Sequence, residues 1–162
     1  MRKRFNMKKI LLLCLILCLT FILSGCSFFA DFVVINNSVD FIDVKYEING
    51  SVPPKFAKSK DFNNSNGTEW REFSQDRYKI DEQKSIVEVK LAPNEALRVK
   101  SVDASRIKTN PYGELSIKTL KIVGKHGSIE LNGTQVFESF EPKTLRWTLF
   151  GPDTGAYVIY YK

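Results

Sequence analysis

Beyond residue 40 much of the chain is written in twos. Ile42, Val44, Tyr46 and Ile48 alternate with Asp43, Lys45 and Glu47. Val87, Val89 and Leu91 alternate with Glu88 and Lys90, and Leu97 and Val99 with Arg98 and Lys100. A strand sends successive side chains to opposite faces, so each run describes a strand with one buried and one wet face, the habit of antiparallel sheets. Turn chemistry falls between the runs: Ala92-Pro93-Asn94-Glu95, Gly124-Lys125-His126-Gly127, Asn132-Gly133 and Gly151-Pro152-Asp153-Thr154-Gly155. Asn132-Gly133 in particular signals a type I′ hairpin. Leu115 and Ile117 share a phase that Leu120 and Ile122 do not, which predicts a bulge or bend near Lys118-Thr119.

These segments predict eight or nine strands, at 32–36, 41–48, 86–91, 96–102, 115–123, 128–131, 135–140, 145–150 and 156–161. Many short strands with regular turns describe an all-β fold, an antiparallel β-sandwich, with a closed β-barrel as the alternative.

Two stretches break the rhythm. Residues 103–114 contain the turn signal Asn110-Pro111-Tyr112-Gly113. Residues 52–80 form a long polar insertion, and insertions of this length in compact domains are often functional. Trp70, Phe73, Arg77 and Ile80 recur at spacings of three and four, and Asn66 with Glu69 resembles a cap. A short helix around 68–78 is predicted, with an extra strand as the alternative. The insertion is rich in rings: Phe56, Phe62, Trp70, Phe73 and Tyr78. Loop aromatics stack on sugars or grip protein partners, so Trp70, Phe73 and Tyr78 are the candidate ligand or partner contacts. The competing reading folds these rings back over a sheet edge or an open end. Trp147 and Tyr157, inside strand patterns, are assigned to the core.

Candidate chemistry is sparse. His126 is the only histidine and stands in a Gly-flanked turn. Gly-x-Ser-x-Gly, a phosphate-cradling loop and His-Glu-x-x-His are all missing. No spacing singles out a catalytic carboxylate pair. Asp61, Asn63, Ser65, Glu69 and Glu72 take positions 1, 3, 5, 9 and 12 of a window similar to a calcium loop. Gly67 lies one place late, however, and Pro53-Pro54 precede the window where a helix belongs, so an Asn-rich loop with Asx-turns is the reading. No catalytic residue, metal or cofactor is expected, and the chain is read as a non-enzyme.

The amino terminus changes the picture. Arg2, Lys3, Arg4, Lys8 and Lys9 precede an apolar run, Ile10 to Ile22, broken only by Thr20. Leu23-Ser24-Gly25-Cys26 follows. A basic, an apolar and a small-residue segment in this order make a secretory leader, and the run is short for a membrane span of about 20 residues. The four-residue motif resembles the lipobox of bacterial lipoproteins. That resemblance covers only the leader. It implies cleavage before Cys26, a thioether-linked lipid on Cys26, and two or three acyl chains, enough for a durable anchor. The expected organisation is a signal peptide at 1–25, a lipidated tether at 26–31 and one sandwich domain at 32–162. Phe28 and Phe29 lie in that tether, either resting among lipid headgroups or packing on the domain. Ser27 resembles the non-Asp choice that directs enteric lipoproteins to the outer membrane, so the expected location is the cell membrane or outer membrane, on its extracytoplasmic side.

Removing the leader also resets the charge. Five of the 24 basic residues and none of the 18 acids lie in residues 1–25, leaving 19 against 18. The pI near 9.2 belongs mostly to the leader, so nucleic-acid binding is not implied. Residues 27–162 contain no cysteine, so the domain is expected to fold by its core alone. The partners expected are the membrane, through the lipid, and an envelope protein or glycan. The functional expectation is an envelope binding or assembly module. The alternatives are a small inhibitor or protective lipoprotein and, ranked last, an enzyme acting on envelope polymers.

Overall fold

In the computed structural model of the chain, which describes residues 29–50, 57–59, 62, 70–143, 146–148, 151–153 and 155–162, the cleanest alternating runs share one sheet. Its strands are β2 (Ile42–Ile48), β5 (Tyr78–Asp81), β6 (Ile86–Leu91), β8 (Ile117–Gly124) and β9 (Gly127–Asn132), in the order β5-β6-β2-β8-β9. Every pair in it is antiparallel. The second sheet holds β1 (Phe29–Asn36), β3 (Ala57–Ser59), β4 (Arg71–Glu72), β7 (Ala96–Asp103), β10 (Glu141–Lys143) and β13 (Ala156–Tyr161), in the order β10-β13-β1-β7-β3-β4. A two-stranded ribbon joins β11 (Arg146–Thr148) to β12 (Gly151–Asp153). Neither large sheet closes on itself. The fold is an all-β sandwich, and the barrel alternative falls.

The core lies between the sheets. Phe32, Val34, Leu97 and Ile159 from one side meet Val44, Tyr46, Val89, Leu120 and Ile122 from the other. Phe32 is its aromatic centre, stacked on Tyr157 at 5.0 Å and edge-on to Phe140 at 5.2 Å. Tyr157 is therefore a core ring, as its strand pattern predicts. Trp147 lies on β11, where side chains are outside the described part.

Several boundaries differ from expectation. The first strand begins at Phe29, not near residue 32, and Phe29, Ala30 and Asp31 pair with Asp103, Val102 and Ser101. The expected tether is thus cut to the residues before Phe29. One pair is parallel: β1 lies beside β13, with Phe32 opposite Tyr157. Phe32, Val33, Val34 and Ile35 are all buried, because this sheet is covered on both faces. Its outer face carries Val33, Ile35, Ala96, Ala156 and Val158 under Phe62 and Trp70 of the insertion. Trp70 serves this outer cluster while Phe73 enters the main core. One face of one helix cannot do both, and the predicted helix at 68–78 gives way to β4 and a 3-10 turn at Gln75–Arg77.

Residues 103–114 form two short helices, α1 (Ala104–Thr109) and α2 (Pro111–Leu115). Asp103 caps the first by accepting from the Ser105 amide at 2.9 Å. Asn110 caps the second by accepting from Gly113 N at 3.2 Å, with Pro111 at its first position. The Asn132-Gly133 hairpin and the strand at 135–140 are both replaced. Gly133 has φ 57° and ψ −126°, and α3 (Thr134–Glu138) follows. Val136 and Phe140, four apart, are both buried there. Gly151–Asp153 is a strand rather than a turn. The predicted bulge is present: Glu47 pairs with Thr119 and Ile48 with Ile117, leaving Lys118 as the extra residue.

Candidate functional site

The turn at 92–95 carries the chain from one sheet to the other, since Leu91 belongs to β6 and Ala96 to β7. Asn94 supplies the positive φ this corner needs, at 58°. Asn36, fully buried, ties the corner to the 37–41 loop: its Nδ2 donates to the carbonyls of Asp40 and Leu91 at 2.8 and 3.1 Å. The next residue, Glu95, is 1% exposed. Arg77 grips its carboxylate with both terminal nitrogens, at 3.2 and 2.7 Å. Lys58 reaches Glu95 Oε1 at 3.4 Å, and the Ala92 amide donates to Oε2 at 2.9 Å. Burial alone would push this carboxyl up. The Arg77 hydrogen bonds, the Ala92 amide and the charges of Arg77 and Lys58 together outweigh it and hold Glu95 below its ordinary value.

The same cations lie over rings. Arg77 is 5.3 Å from the Phe73 ring and 5.8 Å from Phe41, Lys58 is 5.3 Å from Phe73, and Lys90 is 5.4 Å from Phe41. Phe73 is buried, a member of the main core. Tyr78 is half-buried at the start of β5 and packs on the same core. Trp70 is half-buried on the other sheet, 5.8 Å from the Phe62 ring and beneath the Arg98 guanidinium at 4.8 Å. The three candidate aromatics do not converge on one surface. Phe56 lies outside the described residues, as do Cys26, Phe28 and most of the calcium-like window; Glu72, on β4, is described. Near Trp70, Asp31 is pushed above its ordinary value by burial, against the pull of Ser101, Arg98 and Trp70. Tyr46, wholly buried, has no hydrogen-bond partner for its hydroxyl, and burial pushes that phenol up.

Beside Arg77 a groove of about 750 Å³ opens on the wet face of the five-stranded sheet. Asp43, Lys45, Lys79, Glu88 and Lys90 project into it from three neighbouring strands. Lys45 bonds Glu88 across β2 and β6 at 2.6 Å. Phe41, 54% exposed, stands next to the groove through its contacts with Lys90 and Arg77. The sequence carries a signal for Phe41 that the strand reading passes over: it shares the odd, wet-side phase of Asp43 and Lys45. Glu95 has no such signal, because nothing local separates a buried carboxylate from an exposed one after a Pro-Asn turn.

Such a groove can offer cations, carboxylates and one ring to an extended polar ligand. Among the described residues no three His, Cys, Asp or Glu side chains gather closely enough to hold a metal. The buried carboxylate of Glu95 is already paired by Arg77 and Lys58. His126 is exposed at the β8–β9 hairpin tip, with Nε2 3.8 Å from Asp40. No helix among the described residues is long and apolar enough to cross a membrane. Compared with models of known families, with curated proteins and with solved structures, the chain matches none.

Proposed function

We propose that this chain is a lipid-anchored lipoprotein of the bacterial envelope and that its sandwich is a non-catalytic binding or assembly module. The observation that carries the reading is Leu23-Ser24-Gly25-Cys26, placed after a basic and then apolar leader. A first strand starting at Phe29, three residues past Cys26, fits a domain held close to its anchor. The open, charged groove with Phe41 beside it supports binding of a polar envelope glycan or an extended segment of protein.

The anchor is tested by replacing Cys26 with Ser and feeding cells a clickable fatty acid. The parent chain takes label and stays with the membrane fraction, and Cys26→Ser does neither. Label and membrane retention in the variant would overturn the reading. The groove is tested in the same cells by crosslinking the parent and a Phe41→Ala/Lys90→Glu double variant. A crosslinked envelope component lost from the double variant supports binding there, whereas an unchanged pattern removes the groove from the proposal.

A further inference from the structure

Resting on the lipoprotein reading, we infer that the domain stands end-on to the bilayer, with Phe29, α1 and α2 against the lipid headgroups and the Val39–Phe41 loop pointing away. The tether decides which end is near. Three residues from Cys26 to Phe29 span at most roughly 10 Å. Phe29 pairs with Asp103, and Asp103 caps α1, so the start of β1 and the two helices share one end. Ser116, which closes α2, accepts a backbone hydrogen bond from Asn49 at 2.7 Å. The far end of β2 therefore meets the helices, and this end spans both sheets.

Its surface suits a lipid interface. Phe29 is 65% and Tyr112 48% exposed; a tyrosine ring suits the headgroup level of a membrane, and a phenylalanine ring inserts at the headgroup/acyl boundary. The acids beside the helices are engaged within the domain, while Glu82, in the turn that Ser85 ties to Ile48 at the same end, is exposed. Asp103 accepts from the Ser105 amide and hydroxyl at 2.9 and 2.7 Å. Glu114 acts on the partly buried Lys100, and Glu138 lies 3.5 Å from the Tyr112 hydroxyl. Arg106 and Lys108 are exposed on α1, and Lys108 makes no ion pair with any described residue. Loose cations next to a negatively charged leaflet add attraction. The 37–41 loop lies at the opposite end of β1, about 25 Å away for eight residues at 3.3 Å each. Val39, the most exposed of the large apolar side chains among the described residues at 84%, stands there.

Residues 27–162 contain no cysteine, so a single one can be placed at will. Full-length Tyr112→Cys, Lys108→Cys and Val39→Cys are expressed, lipidated and purified. Each is labelled with a small fluorophore and reconstituted in phosphatidylethanolamine/phosphatidylglycerol vesicles containing headgroup-nitroxide lipid. Circular dichroism checks that all three match the parent. The Tyr112 and Lys108 labels should be quenched several-fold more strongly by the nitroxide lipid than the Val39 label. Equal quenching at both ends, stronger quenching at Val39, or no quenching anywhere overturns the orientation. Protection of the Tyr112 label from aqueous iodide without lipid quenching also overturns it, because a protein rather than a bilayer then covers this end. Absence of fatty-acid label on Cys26 is a separate result and strikes the lipoprotein reading itself.

Discussion

Glu95 and Arg77 are separated by eighteen residues, yet they form the only ion pair among those described in which one partner is almost wholly buried and gripped at both oxygens. Removing one partner of a buried pair leaves the other charge uncompensated, a cost of about 3–5 kcal/mol. Arg77 is 18% exposed and Lys58 still neighbours the carboxylate, so Arg77→Ala should fall at the low end, near 3 kcal/mol. Glu95→Gln keeps the shape but loses the charge and should cost about 1–3 kcal/mol. The sign of the pH dependence follows from the depressed carboxyl. The unfolded chain takes up a proton around the ordinary value of 4.5 and the folded chain only below it. This stabilisation is complete above 4.5 and is lost as pH falls through the folded value. Asp31 acts in the opposite sense: its carboxylate costs stability above its ordinary 3.8, and the cost is relieved below its raised folded value. Urea unfolding of the parent and of Glu95→Gln from pH 7 to pH 3 should show their difference shrinking below 4.5. A difference that stays constant would show that the Glu95 charge does not carry the stabilisation.

Gly133 decides how β9 ends. Its φ of 57° with ψ of −126° lies where a side chain is strained, and a Cβ there would meet nothing within 4 Å. Gly133→Ala should therefore cost about 1–3 kcal/mol through the backbone alone, read as a shifted denaturation midpoint at unchanged m-value. A neutral result would mean the turn relaxes into an ordinary conformation. The position matters because α3, which it starts, brings Phe137 to 5.9 Å from Phe32 and 5.5 Å from Tyr112. It also carries the chain from β9, an edge of one sheet, to β10, an edge of the other. The insertion has a comparable role: β3 and β4 extend the six-stranded sheet, while Phe62 and Trp70 cover its outer face. Among the described residues of 52–80, Phe62 and Trp70 therefore act as a lid on a sheet.

As a whole the domain buries its apolar residues on both faces of one sheet and one face of the other, with no cysteine after Cys26 to staple them. It should unfold cooperatively with reductant and chelator present, and its far-UV circular dichroism should be that of a β protein with little helix. A helical spectrum, or loss of folding in chelator, would contradict this. Placing the lipid end at Phe29 would leave Phe41, Val39 and the charged groove free for a partner reached away from the bilayer.

Alternation along the chain was enough to place β2, β6, β8 and β9 of the five-stranded sheet nearly residue for residue, because one wet face forces a period of two. β5, at the end of the insertion, was not legible this way, since the spacing of Trp70, Phe73 and Arg77 reads as a helix. The slip between Ile117 and Leu120 likewise located the bulge at Lys118, since an extra residue must reverse the facing of all that follows. Tertiary structure decided the rest. The parallel contact of β1 with β13 joins residues more than a hundred apart, and a strand buried on both faces has no alternation to register. Residues 135–140 could form a strand or a helix, and the step between two sheet edges is made by the helix Thr134–Glu138, with Phe140 just beyond its end. Trp70, Phe73 and Tyr78 look alike as loop aromatics, and only the assembled sandwich sends one outward over Val33 and Ile35 and the other two toward the core. Burial of Glu95 is the clearest case, because a carboxylate goes inside only where Arg77 and Lys58, brought from elsewhere by the fold, are waiting to neutralise it.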